Sequence, residues 1–209
     1  MNYLAHIFLA GKNEDWQVGG FIADAVKGRV INNYSKGIQE GIWLHRAIDQ
    51  YTDVHPVVKS LIMNLKPKYK RYSGVITDMF FDHFLSKYWT HFSNQPLNSF
   101  AQNFYVLILK HYLTIPVKCK MIVPFMVYNN WLMTYGNIQG LQKRLHGMSQ
   151  RTQFYSGMDR AVIDLQADYS YYKNMFMQFF PELVKFTENL KSSNPSCIIP
   201  EKQSQKTVP

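Results

Sequence analysis

Residues 41–53 read GIWLHRAIDQYTD, and their apolar members Ile42, Ile48 and Tyr51 recur at helical rather than alternating spacing. In the same stretch His45, Asp49 and Asp53 recur at every fourth position, so one helix carries all three along a slowly drifting stripe, with Arg46 at its flank. Residues 76–85, ITDMFFDHFL, repeat the pattern: Asp78 and Asp82 are four apart, His83 follows at once, and Phe80, Phe81, Phe84 and Leu85 surround them. These segments set the fold class as all-α. The spacing predicts helices near 15–28, 37–52, 55–65, 73–93, 97–113, 120–135, 137–149 and 158–190. Pro56, Pro67, Pro96 and Pro116 punctuate them, and Pro181 is read as either a kink or a stop.

Outward from these helices, the 209 residues, 46% hydrophobic and 18% charged, have the proportions of a single compact domain. A chain of this size buries roughly 70% of its unfolded surface, so a core needs neither disulfides nor structural metal. The domain is placed at 1–190, and 191–209, polar and holding three prolines, is read as a disordered tail. Cys119 and Cys197 match no zinc or redox spacing, which points to a reducing, cytoplasmic compartment. MNYLAHIFLAG at the N-terminus is apolar but has no basic start and carries His6, so it reads as part of the fold and not as a signal peptide. No run reaches the ~18 apolar residues of a membrane span. The nearest, 121–133, is broken by Pro124, Asn129 and Asn130, and the protein is read as soluble.

The acids and histidines are unevenly spread. Of nine aspartates five fall between 24 and 82, and His6, His45 and His83 lie in that half in apolar surroundings. Buried carboxylates need cations, hydrogen bonds or a metal. Imidazole with carboxylate suits manganese, iron or zinc, and an oxygen-rich set favours manganese or magnesium. A lone His–Asp pair four apart is usually only a hydrogen-bonded pair, but two such steps with an Asp-His dipeptide shift the balance toward a metal hydrolase. His55, His91, His111 and His146 read as surface or supporting residues. In VGGFIADAVKG (18–28), the Gly19-Gly20 pair suits close approach of backbone to a ligand, with Asp24 and Lys27 on one face of a short helix. GxxxxGK[ST], GxGxxG and GxSxG are all absent, which disfavours nucleotide-loop and serine-hydrolase chemistry and leaves hydrolysis by metal-activated water.

MNYLAHIFLA, GGFIADAVKG, GIWLHRAIDQYTDVHP and ITDMFFDHFLSKYW, followed by NNWLMTY and GMSQR, together resemble the bacterial acyl carrier protein phosphodiesterase family. The resemblance runs to the helical region ending near 188. It implies hydrolysis of the phosphodiester joining 4′-phosphopantetheine to a serine of holo-acyl carrier protein, with Mn2+ the favoured cofactor and Mg2+ or Fe2+ the alternatives. It also implies a distant link to HD-type metal phosphohydrolases, although here the dyad runs Asp82-His83, the reverse of the HD order. Carried over residue by residue, the expected metal ligands are His6, Asp24, His45, Asp78, Asp82 and His83. Arg46 is expected to neutralise the non-bridging oxygens and Asp49 to orient a ligand histidine or itself bind metal, while outside the carried-over set Lys27, or else a protonated histidine, is expected to supply a proton to the leaving serine.

A net charge of +9, from 23 Lys and Arg against 14 Asp and Glu, would speed encounter with an acidic carrier. Lys66, Lys68, Lys70 and Arg71 are the candidate docking residues, whereas the sets at Lys118 and Lys120 and at Lys143 and Arg144 are further basic clusters with a solvated surface as their default reading. An apolar groove, with Trp131 a candidate lining residue, would take the pantetheine arm. Two other functions compete: an HD-like phosphohydrolase of nucleotides, and a noncatalytic RNA-binding protein whose KPKYKRY segment (66–72) interleaves Tyr69 and Tyr72 with cations. The second leaves the Asp and His cluster unexplained. Neither nucleic acid nor membrane is the expected partner.

Overall fold

The computed structural model describes residues 1–193, and among these every regular element is helical. The α-helices are α1 (Tyr3–Leu9), α2 (Glu14–Ile22), α3 (Lys36–Val54), α4 (Pro56–Tyr69), α5 (Ser73–Lys87), α6 (Leu97–Lys110), α7 (Val117–Tyr128), α8 (Trp131–Thr134), α9 (Ile138–Ser149), α10 (Ala161–Ala167) and α11 (Tyr169–Ser192). None is long and apolar enough to cross a membrane.

The centre is α5. Its second half is buried all round, polar Asp82, His83 and Ser86 included, and Phe80 through Ser86 are buried without a break. It packs on α1, α4, α8, α9 and α11. On the α11 side Phe81 stacks on Phe179 with ring centroids 5.1 Å apart, and Phe84 on Phe176 at 5.7 Å. Each fully buried ring of this kind contributes roughly 1.5–3 kcal/mol, so the α5–α11 seam is a main source of stability. Asp82 and His83 lie inside this seam region and not on a surface.

The second organising contact joins α2 to α3. Asn13 caps α2 by accepting the Trp16 N–H at 3.1 Å, and Ser35 caps α3 by accepting the Ile38 N–H at 3.3 Å. Between them Gly19 lies against Gly41: a Cβ on Gly19 would stand 2.8 Å from the Gly41 Cα, and one on Gly41 would stand 2.6 Å from the Trp16 Cα. The glycine pair expected to admit a ligand therefore admits a helix instead. That contact brings the next residue, Gly20, to the histidine side of α3, where its carbonyl oxygen accepts from His45 Nδ1 at 2.8 Å.

Several boundaries differ from the sequence reading. The first seven-residue helix, α1, lies in a segment for which no helix was predicted. The helix expected over 15–28 ends at Ile22 and continues as tight turns at Ala23–Ala25 and Gly28–Asn33. The helix expected over 120–135 breaks at Asn129–Asn130, where Asn130 adopts φ +48°, a left-handed conformation that asparagine tolerates. The long helix expected over 158–190 divides at Asp168, and Pro181 sits inside α11 without ending it. The final helix runs to Ser192, and residues 194–209 of the expected tail lie outside the described residues.

Because the Gly19–Gly41 contact has no room for a methyl group, Gly41→Ala should lower stability by about 1–3 kcal/mol. Urea unfolding measures it, and the same substitution at Gly147, where an added Cβ meets nothing within 4 Å, should leave the midpoint unchanged or raised.

Candidate metal centre

Two helices that meet across α2 present two imidazoles to each other. His6 from α1 and His45 from α3 stack with centroids 3.7 Å apart and planes 16° from parallel. Both are buried, at 3% and 6% exposure. The Gly20 carbonyl holds His45 Nδ1, so the Nε2 edge faces the acids: Asp49 Oδ2 at 3.1 Å and Asp24 Oδ1 at 3.4 Å. The four-residue step from His45 to Asp49 thus does what helical geometry predicts. Asp49 also reaches His6, with Oδ1 3.1 Å from Nε2, and so bridges the two rings.

The electrostatics divide the two histidines. Burial and the neighbouring His45 lower His6 to about 4, with Asp49 opposing only in part, so His6 is neutral at pH 7. Burial also works against the charged form of His45, but hydrogen bonds to Asp24 and Asp49 outweigh it and push this ring up to about 9. Burial acts against the Asp49 carboxylate too, and the His45 and His6 contacts overcome it, holding the carboxyl well below the usual range. Asp24 is held low chiefly by His45. Protonated, His45 answers the two carboxylates; a divalent cation would take the place of that proton.

One further group joins the cluster: the α-amino group of Met1, 3.2 Å from Asp78 Oδ1 and 3.5 Å from Asp49 Oδ1. Burial lowers its pKa, but Asp78 and Asp49 more than compensate and raise it to about 10. Burial pushes the Asp78 carboxyl upward against that ammonium. The donor set fits a metal on two observations. One ligand atom each from His6, His45 and Asp49 lies within 4.8 Å of the others, and His6 Nδ1 is buried with no hydrogen-bond partner.

The cluster opens into a cavity of about 600 Å³. His6, Asp24, His45 and Asp78 form part of its lining, α7, α8 and α9 supply Ile122, Trp131, Lys143 and Arg144, and Tyr135 joins them directly after α8. Arg144 lies over both the Trp131 and Tyr135 rings, its carbon 4.7 Å from each centroid, and donates from Nη2 to Thr134 Oγ1. Burial lowers the pKa of this guanidinium.

The profile of the family described as acyl carrier protein phosphodiesterase matches residues 1–183. The chain belongs to that family. An acyl carrier protein phosphodiesterase of Photorhabdus laumondii is 30% identical over 190 residues, which cover 90% of this chain and 96% of that one. Proteins of the same name from Yersinia pestis and Klebsiella pneumoniae are 28% and 29% identical, covering 88% and 90% of this chain and 96% and 98% of their own. No solved structure matches it.

Within this acyl carrier protein phosphodiesterase family member, the other expected site residues lie elsewhere. Asp82 is wholly buried, and its two oxygens accept the Leu4 and Ala5 N–H groups at 2.9 and 3.2 Å, two of the donors that the start of α1 leaves free. Burial pushes its carboxyl up to about 7 against those two amides. His83 Nδ1 donates to the Tyr135 carbonyl at 2.9 Å and Nε2 accepts from the Tyr169 hydroxyl at 2.9 Å. Arg46 donates to the Val26 carbonyl at 2.9 Å and lies 4.5 Å over Trp43, and neither it nor Lys27 lines the cavity. Lys66, Lys68, Lys70 and Arg71 are off the cavity as well. Lys68 pairs with Asp164 at 2.6 Å, while Tyr69 is buried with its hydroxyl on Asp164, which removes it from any base-stacking role. The Met1 amine and Gly20 carbonyl went unread in the sequence because neither is written as a side chain. Arg144 was visible only as one of a basic pair.

Asp82→Ala strands two buried amides, so it should lower stability by roughly 2–5 kcal/mol. Urea unfolding tests this, with metal stoichiometry measured where the variant remains folded and expected to persist. His83 gives the pH dependence. Burial holds its folded pKa below 6.5, so its contribution is present above pH 6.5 and is lost as pH falls through the lower folded value. The stability difference between the native protein and His83→Gln should therefore shrink from pH 7 to pH 5, read from urea midpoints.

Proposed function

We propose that the protein is a cytoplasmic metal-dependent hydrolase that cleaves the phosphodiester between 4′-phosphopantetheine and the serine of holo-acyl carrier protein, releasing apo-carrier and 4′-phosphopantetheine. The observation that carries this reading is the His6–His45–Asp49 cluster opening into a cavity that also contains cations. His6, His45 and Asp49 would hold the metal, with Asp24 and Asp78 as the adjoining carboxylates, and manganese is the expected ion for so oxygen-rich a set. A divalent ion held by these residues would supply a lowered pKa for water and polarisation of the phosphoryl group.

The chain's own residues do the rest. Gly20 fixes the His45 ring through Nδ1, which is the usual way a ligand histidine is oriented. Asp49 bridges both rings and so combines the orienting role expected of it with a place in the donor set. Asp24, 81% exposed and 3.4 Å from His45, is the carboxylate best placed to accept a proton from an attacking water. Trp131 and Tyr135 give the cavity apolar surface for the pantetheine arm. Lys143 and Arg151 line the cavity, whereas Lys66, Lys68, Lys70 and Arg71 stand off it and would serve only the outer approach of an acidic carrier. The link to HD-type phosphohydrolases would rest on this His and Asp chemistry, since the Asp82-His83 dyad itself faces backbone and a tyrosine.

Mass spectrometry of holo-acyl carrier protein incubated with the protein tests the reading directly. With Mn2+ the carrier should lose the mass of phosphopantetheine, and with chelator it should not. Asp49→Asn should reduce turnover by more than about a hundredfold while helix content is retained. A carrier of unchanged mass in the presence of folded, Mn2+-loaded protein would remove this substrate.

A further inference from the structure

Among the lysine and arginine side chains that line the cavity, Arg144 is the one the fold holds in place. Lys143 and Arg151 are exposed. Arg144 is instead layered with Trp131 and Tyr135 and tied to Thr134, while its Nε is buried without an acceptor. No carboxylate pairs with it among the described residues. A largely desolvated guanidinium without a counter-anion is held at a loss, and aromatic stacking offsets only part of it. The missing anion is therefore to be supplied by what enters the cavity.

The scaffold behind Arg144 reinforces the point. Its aromatic neighbour Tyr135 is fixed through the carbonyl that accepts from His83 on the buried helix α5. Leu132, in the short helix α8 that Tyr135 directly follows, donates its N–H to the Tyr105 hydroxyl at 2.8 Å. A cation fixed from both sides presents its charge without having to be ordered on binding, which is what oxyanion recognition requires. Arg46, the arginine expected in this role, has its guanidinium on the Val26 carbonyl and Trp43 and outside the cavity.

We propose that Arg144 is the phosphate-binding residue of the cavity, its guanidinium donating to the non-bridging oxygens of a phosphate ester whose ester bond lies at the His6–His45–Asp49 cluster. The assignment rests on the phosphodiester reading above and names the residue that would recognise the phosphate. The planar guanidinium fork suits two such oxygens, whereas a lysine offers only a point charge. The nearby Lys143 and Arg151, open to solvent, contribute attraction but no fixed geometry.

Inorganic phosphate is the probe, titrated in the presence of chelator so that only the protein's own cations report. Arginine side-chain Nε–H resonances are followed by NMR, with that of Arg144 assigned by its disappearance in Arg144→Lys. Phosphate should shift the Arg144 resonance saturably, and Arg144→Met should weaken phosphate binding by at least about tenfold while Lys143→Met changes it far less. Circular dichroism shows whether each variant keeps its helices, and the native titration stands without any variant fold. An unmoved Arg144 resonance, or equal phosphate affinity in the native protein and a folded Arg144→Met, overturns the assignment. Holo-carrier turnover separates the two readings. Phosphate binding at Arg144 without carrier cleavage keeps this site and removes that substrate. Carrier cleavage with kcat and KM unchanged in Arg144→Met keeps the substrate and removes this site.

Discussion

The Asp82 carboxylate, buried on α5 and receiving the Leu4 and Ala5 amides of α1, is the contact on which the candidate site depends. A seven-residue helix is too short to persist by its own hydrogen bonds. An anion at its N-terminus satisfies two orphan donors and matches the positive end of its dipole. With α1 anchored, His6 comes to rest on His45, and Asp49 can bridge both. Without it the two rings have no reason to meet, because residues 6 and 45 share no helix and no regular spacing.

Adjacent residues on α5 divide the work. Asp82 fastens the helix that carries His6, and His83 fastens Tyr135, one of the two rings that hold Arg144. The two side chains leave one helix about 100° apart, and each is consumed by backbone on a different side of the cavity. Their burial and their acid–base character, which suggest ligands, equally suit this framing role: a buried carboxylate is tolerated where amides meet it, and a buried neutral imidazole where it donates and accepts at once.

Periodicity made the helical class legible and correctly placed His45 and Asp49 on one stripe of α3, because partners four apart depend on helix geometry alone. The partners of Asp82 and His83 lie 78 and 52 residues away, and no spacing rule reaches that far. The same limit applies to Gly19, whose lack of a side chain announces a close approach without saying whether a ligand or Gly41 approaches. It applies also to Arg46 and Arg144, both on amphipathic helices with aromatic neighbours, of which only the second lines the cavity. The break at Asp168 carries no proline or glycine and so left no local mark.

The two sides of the cavity are built from elements of unequal length. The His and Asp groups ride on α3 and on the buried α5, or are fastened to it, while Trp131 and Thr134 belong to a four-residue helix between a left-handed Asn130 and Gly136. A four-residue helix has too few hydrogen bonds of its own to persist. Leu132 and Tyr135 are buried and tied to Tyr105 and His83, so the shape of this wall is inherited from the core behind it, and a change in that core would reach the cavity through α8 sooner than through α3.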